Sequence, residues 1–160
     1  MAPLIYAETN VSLLVISVNA YIIPLVARVS SNPDLTPLFA ALADRTRLRL
    51  LNLMNGREVC VCYFVEVLRQ SQPKISRHLA YLRRAGIVSA RREGKWMHYR
   101  IERPSHPGAL AILEAALSSF SADREMQADL RGLTKACCRP RTLVTIAGAP
   151  LPTAIARDSL

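Results

Sequence analysis

Acidic residues are scarce in this chain of 160 residues: 12 Asp and Glu face 21 Lys and Arg, a formal net charge of +9. That balance excludes a disordered acidic chain and asks for a polyanionic partner, nucleic acid ahead of an anionic membrane surface. A membrane-length apolar run is missing as well. Val11 to Ala27 is uncharged, but Asn19 and Pro24 interrupt it and it falls short of the ~20 residues a span needs. Glu8 is the only charge ahead of it, so the basic flank of a secretory signal is absent. No membrane partner is expected. The cysteines number only four, with no other sign of secretion, which argues against a disulfide scaffold and for thiols in the reducing cytoplasm. No nucleophile–base arrangement, phosphate-binding Gly loop or paired-carboxylate motif is found, so an enzyme is not expected.

What is present is a chain that is 51% hydrophobic, enough for one core of ordinary size. Its charge is unevenly placed. Residues 33–104 hold 14 basic and 6 acidic side chains, an excess of 8, whereas residues 1–32 carry only Glu8 and Arg28. A concentrated excess is the electrostatic footprint of a phosphate-binding surface. Four segments follow: an apolar extension over 1–32, a DNA-binding domain over 33–104, a dimerisation helix with a cysteine-bearing extension over 105–138, and a loose tail over 139–160 containing Pro140, Pro150 and Pro152.

The middle segment reads as helices followed by a hairpin. Pro37 suits a first helical turn ahead of Leu38, Phe39 and Leu42. Asp44 caps a second helix with Leu48, Leu51 and Met54 on one face, ended by Asn55-Gly56. A third helix carries Val61, Phe64, Val65 and Leu68. Pro73 opens a fourth, with Ile75, Leu79 and Leu82 inward and Gly86 as its stop. On the other face of that helix stand Lys74, Arg77, Tyr81 and Arg84, with Gln72 and Ser76 near its start. These are side chains that reach phosphates and base edges from a major groove.

Gly94 then marks the tip of a hairpin crowded by Arg91, Arg92 and Lys95, whose second strand turns Met97, Tyr99 and Ile101 inward. The predicted fold is mainly α with a small β-hairpin: a winged helix-turn-helix dimerised through its terminal helices. Gln72, Lys74, Ser76 and Arg77 are the candidate groove contacts, with Arg91, Arg92 and Lys95 on the flanking backbone. Beyond Pro107, Leu110, Leu113, Leu117 and Phe120 form one stripe, expected to be covered by a second subunit on a twofold operator. Met126, Leu130 and Leu133 form a second stripe that leads to Cys137 and Cys138.

The stretches LFAALADRTRLRLLNLM (38–54), EVCVC (58–62), SQPKISRHLAYLRRAGIV (71–88) and REGKWMHYRI (92–101) together resemble the ArsR/SmtB family. The likeness covers roughly residues 35–135. It implies a dimeric winged-helix repressor that leaves double-stranded operator DNA when a metal or metalloid binds. In arsenic-sensing members a Cys-x-Cys pair at the start of the third helix takes trivalent arsenic or antimony, and Cys60 and Cys62 hold that place. The family's third cysteine would fall at Val65, so a replacement is needed; Cys137 and Cys138 are the candidates, the alternative being that they form an incidental pair or a separate weak metal site. The expected function is a metalloid-responsive repressor with As(III) or Sb(III) as inducer and no obligatory cofactor. The alternatives are a cadmium-, lead- or zinc-sensing repressor and a DNA-binding protein with a structural zinc.

The residue chemistry agrees with the resemblance. Thiolates select soft ions, and a helix start near arginines favours the thiolate. In an ideal helix positions i and i+2 point ~200° apart, so capture of one ion by Cys60 and Cys62 is expected to unwind the helix start. His78, His98 and His106 read as ordinary structural histidines, because His106 and Glu114 alone do not make a zinc site.

Overall fold

The structure, a computed structural model, describes residues 34–138 and 148–153. The apolar extension over 1–32 and the stretch 139–147 lie outside the described residues. Six helices and three strands follow one another from Thr36 to Cys138.

Helix α1 (Thr36–Leu42) has Pro37 in its first turn and buries Leu38 and Ala41. Helix α2 (Arg45–Met54) is capped as expected, the Asp44 carboxylate accepting from the Arg47 backbone N–H at 2.9 Å. A cap of this kind stabilises a helix by about 1 kcal/mol. Strand β1 (Val59–Cys60) leads straight into α3 (Val61–Leu68), which Arg69 ends in a left-handed conformation at φ 51°. Helix α4 (Gln72–Arg84) has Pro73 in its first turn and buries Ile75, Leu79 and Leu82. Gly86, at φ 72°, turns the chain into β2 (Val88–Glu93). The Gly94-Lys95 turn connects to β3 (Trp96–Ile101), then come α5 (Pro107–Ser119), a 3₁₀ turn (Phe120–Ala122) and α6 (Arg124–Cys138).

The strands form one antiparallel sheet in the order β1-β3-β2. Val59 and Cys60 pair with Tyr99 and His98, and Val88 to Glu93 pair with Ile101 to Trp96. Mainly helical, with a small sheet after the fourth helix, the fold is a winged helix-turn-helix. The two-residue β1 was not expected, and it changes the wing from a free hairpin into the outer part of a three-stranded sheet. It also changes which β3 side chains are inward: His98 is only 4% exposed, as well buried as Tyr99.

Helix α6 packs along α2 and α3. Arg49 meets Asp129 through two hydrogen bonds of 2.7 Å, and Arg45 reaches Asp123 at 2.7 Å and Glu125 at 2.8 Å. The buried Asn52 amide donates to the Met126 carbonyl at 2.8 Å. Met126, Leu133, Ala136 and Cys137 thereby join the same core as Leu50, Leu53 and Phe64.

Of the α5 stripe, Leu113, Leu117 and Phe120 are buried within the chain and Leu110 is half-buried. In the last segment, Ala149 packs on the core and the Thr153 N–H donates to the Glu58 carbonyl at 3.3 Å. The open outer edge of β1 offers that carbonyl, because β1 has a neighbour on one side only.

Candidate thiol centre and nucleic-acid interface

Cys60 closes β1 and serves as the N-cap residue of α3, with extended dihedrals of φ −70° and ψ 142°. Cys62 lies in the first turn. Because Cys60 stands outside the helix, the ~200° separation of helical positions does not apply to this pair. The two sulfurs are 3.0 Å apart, with the Cys62 S–H donating to Cys60. Capture of an ion therefore does not have to unwind α3, contrary to the expectation from spacing.

That hydrogen bond from Cys62, with further backbone N–H groups, pulls the Cys60 thiol down to about 7 against the opposing effect of burial. Donating the bond and being buried push Cys62 the other way. The pair is one thiolate holding one thiol. This is the donor set a soft, thiophilic ion requires, so the residues fit such a ligand.

Helix α6 brings Cys137 into the same region. Its thiol is buried and acts on the hydroxyl of Tyr63 on α3, which is pushed upward by burial first and by Cys137, Cys62 and Cys60 next. Tyr63 is a buried side chain that sequence reasoning did not mark. The structure thus joins Cys60 to Cys62 and sets Cys137 near the same tyrosine. Among the described residues no three His, Cys, Asp or Glu side chains converge closely enough to hold a metal ion. The side chain of Cys138 lies outside the described residues.

The candidate nucleic-acid contacts lie on two elements. Gln72, Lys74, Ser76 and Arg77 are all exposed on the first half of α4. That end of the helix carries no acidic residue, so its dipole favours phosphate. Beside it runs an open groove of about 440 Å³ lined by Arg47, Lys74, Arg77, His78, Tyr81 and Arg84. The Tyr81 ring is approached by the guanidinium of Arg47 at 4.3 Å and that of Arg84 at 5.4 Å. Arg47 also donates to the Ala41 and Ala40 carbonyls at 2.7 Å each, so it fixes the end of α1. Burial lowers the pKa of His78, which sits 3.4 Å from Asp44.

On the wing, Arg92 and Lys95 are exposed, Arg92 bonded to the Gly94 carbonyl and Lys95 over the Trp96 ring at 5.0 Å. Arg91 differs. Its guanidinium is held by Glu58 at 3.0 Å and Glu93 at 2.7 Å. Two carboxylates thus hold this exposed guanidinium at the wing.

Residues 44–90 match the model of the bacterial regulatory protein family arsR. The arsenical resistance operon repressor of Escherichia coli (strain K12) is 43% identical over 103 residues, covering 63% of this chain and 86% of the relative. This chain belongs to the arsR family. The arsenic resistance transcriptional regulator ArsR1 of Pseudomonas putida (strain KT2440) is 48% identical over 86 residues, 52% of this chain and 64% of that protein. The solved structure of HlyU from Vibrio cholerae N16961 aligns over 53% of this chain and 89% of its own, with TM-score 0.47 and 29% identity. The arsR proteins are helix-turn-helix regulators that bind DNA. Among the described residues no helix is long and apolar enough to cross a membrane.

Proposed function

We propose that this arsR-family chain is a cytoplasmic, metalloid-responsive transcriptional repressor that binds operator DNA as a homodimer and releases it on capturing trivalent arsenic or antimony. One observation carries the reading: a buried thiolate–thiol pair, Cys60 and Cys62, at the junction of the wing sheet and the helix that supports α4. The two relatives, an arsenical resistance operon repressor and an arsenic resistance transcriptional regulator, support a metalloid inducer.

Gln72, Lys74, Ser76 and Arg77 meet the groove, and Arg91, Arg92 and Lys95 meet the flanking phosphates. Arsenous acid exchanges hydroxides for sulfur at the thiol pair. Each exchange forms one As–S bond and breaks one As–O bond, and the departing hydroxide leaves as water with the thiol proton, or with one from solvent when the sulfur is already a thiolate. Cys137 or Cys138 replaces the third hydroxide in the same way.

The test is operator binding titrated with arsenite, zinc and cadmium in turn. Arsenite weakens binding by a factor of about 5–150, the usual range of such coupling. Cys60→Ser/Cys62→Ser keeps operator binding and loses the arsenite response. Release of the double variant at wild-type arsenite concentrations would refute the site. Loss of arsenite affinity in Cys137→Ser/Cys138→Ser, with operator binding kept, checks the third ligand.

A further inference from the structure

The thiol pair is built into the wing sheet as well as into α3. His98 of β3 pairs with Cys60 on one side and with Arg91 on the other. Directly opposed residues of antiparallel strands project to the same face, so Cys60, His98 and Arg91 stand in one row across the sheet. His98 fills the middle of that row, buried, with its Nε2 unpartnered and 3.9 Å from a Glu93 oxygen. Glu58 spans the row. Two residues before Cys60, it reaches across β3 to the Arg91 guanidinium, with contacts of 3.0 and 3.5 Å.

We propose that Glu58 is the positioning residue that couples the thiol pair to the wing: the Glu58–Arg91 contact holds the wing in its DNA-binding position, and occupation of Cys60 and Cys62 breaks it. This rests on the metalloid-repressor reading above and names its route to DNA. The driving step is geometric. Thiolates ~2.3 Å from one ion, at angles between ~90° and the tetrahedral value, are about 3.3–3.8 Å apart. The sulfurs are 3.0 Å apart, so binding must spread them by several tenths of an ångström. Cys60 ends the two-residue β1 and Glu58 directly precedes that strand, so a displacement of Cys60 is carried along the backbone to Glu58. The Glu58–Arg91 contact is 3.0 Å long, and such a shift lengthens and weakens it. Stability is a poor explanation for the contact, since Arg91 is 55% exposed and exposed ion pairs add little to folding.

The experiment compares wild type, Glu58→Gln and Glu93→Gln in three measurements, each with and without arsenite: operator affinity, thiol accessibility to a thiol reagent, and fluorescence of Trp96. Trp96 is the only tryptophan of the chain and opens β3 at the wing tip, so its emission reports the wing directly. Glu58→Gln is expected to weaken the arsenite-free complex about fivefold, the low end of the coupling range for a partly exposed contact, and to leave the arsenite-bound affinity unchanged. Its Trp96 response to arsenite disappears, while arsenite still protects the thiols. Glu93→Gln keeps the Glu58–Arg91 contact and so keeps the response.

An equal change in both forms, in either direction, or an undiminished Trp96 response would overturn the proposal, because Glu58 would then be no more than a surface charge. A wild-type protein whose thiols arsenite does not protect, or whose operator it does not release, would overturn the repressor reading instead.

Discussion

Cys60 and Cys62 have the same side-chain chemistry and opposite acidities. One hydrogen bond sets the difference: it lowers Cys60 to about 7 and raises Cys62. Above about pH 7 the pair therefore holds a single proton. Arsenous acid is neutral, and replacing two of its hydroxides with one thiolate and one thiol takes up one proton from solvent. Below about pH 7 both sulfurs are protonated and capture takes up none. By linkage, arsenite affinity is expected to be flat below about pH 7 and to fall about tenfold per pH unit from 7 toward 9. Zinc or cadmium, which displaces the remaining proton, shifts the other way over that range. Binding isotherms at several pH values check both slopes, and arsenite affinity that rises with pH would contradict the assigned ionisation. The Cys-x-Cys pair itself was legible in the sequence. Its geometry was not, because a two-residue strand has no alternation to reveal it, and spacing alone read both cysteines into the helix.

At the scale of elements, local signals were read correctly where they were local. Asp44 caps α2, Gly86 stops α4 and Gly94 turns the wing, each fixed by neighbours a few residues away. What escaped was tertiary. Arg49 and Asp129 are 80 positions apart and look like ordinary surface charges until α6 lies against α2. The burial of His98 likewise depends on β1 making β3 the central strand. The Arg49–Asp129 pair anchors α6 and with it Cys137. Asp129 is buried, and both of its oxygens are bonded at 2.7 Å. Asp129→Ala leaves the Arg49 guanidinium half-satisfied in a mostly buried position. The expected cost is about 3 kcal/mol, the lower end for breaking a buried pair because Arg49 keeps some solvent and its contact to Glu125. Urea unfolding measures it, and a loss below about 0.5 kcal/mol would mean that apolar contacts alone hold α6.

For the whole molecule, charge distribution and symmetry combine into one measurable number. The basic excess lies in the segment that becomes α1 to the wing, and α4 presents Lys74 and Arg77 outward from each chain. The number of chains on the operator is read from DNA binding itself. A twofold dimer places one α4 in each of two half-sites about one helical turn apart. The logarithm of affinity falls with that of salt by about 0.9 per neutralised phosphate. Lys74→Ala/Arg77→Ala removes two contacts per chain. The slope should therefore become shallower by about 3.6 if two chains bind each operator, and by about 1.8 if one chain binds. The dimer reading requires the larger change, together with two chains per duplex in sedimentation of the complex. A change near 1.8 would identify a single bound chain, and an unchanged slope would move the phosphate contacts away from α4 altogether.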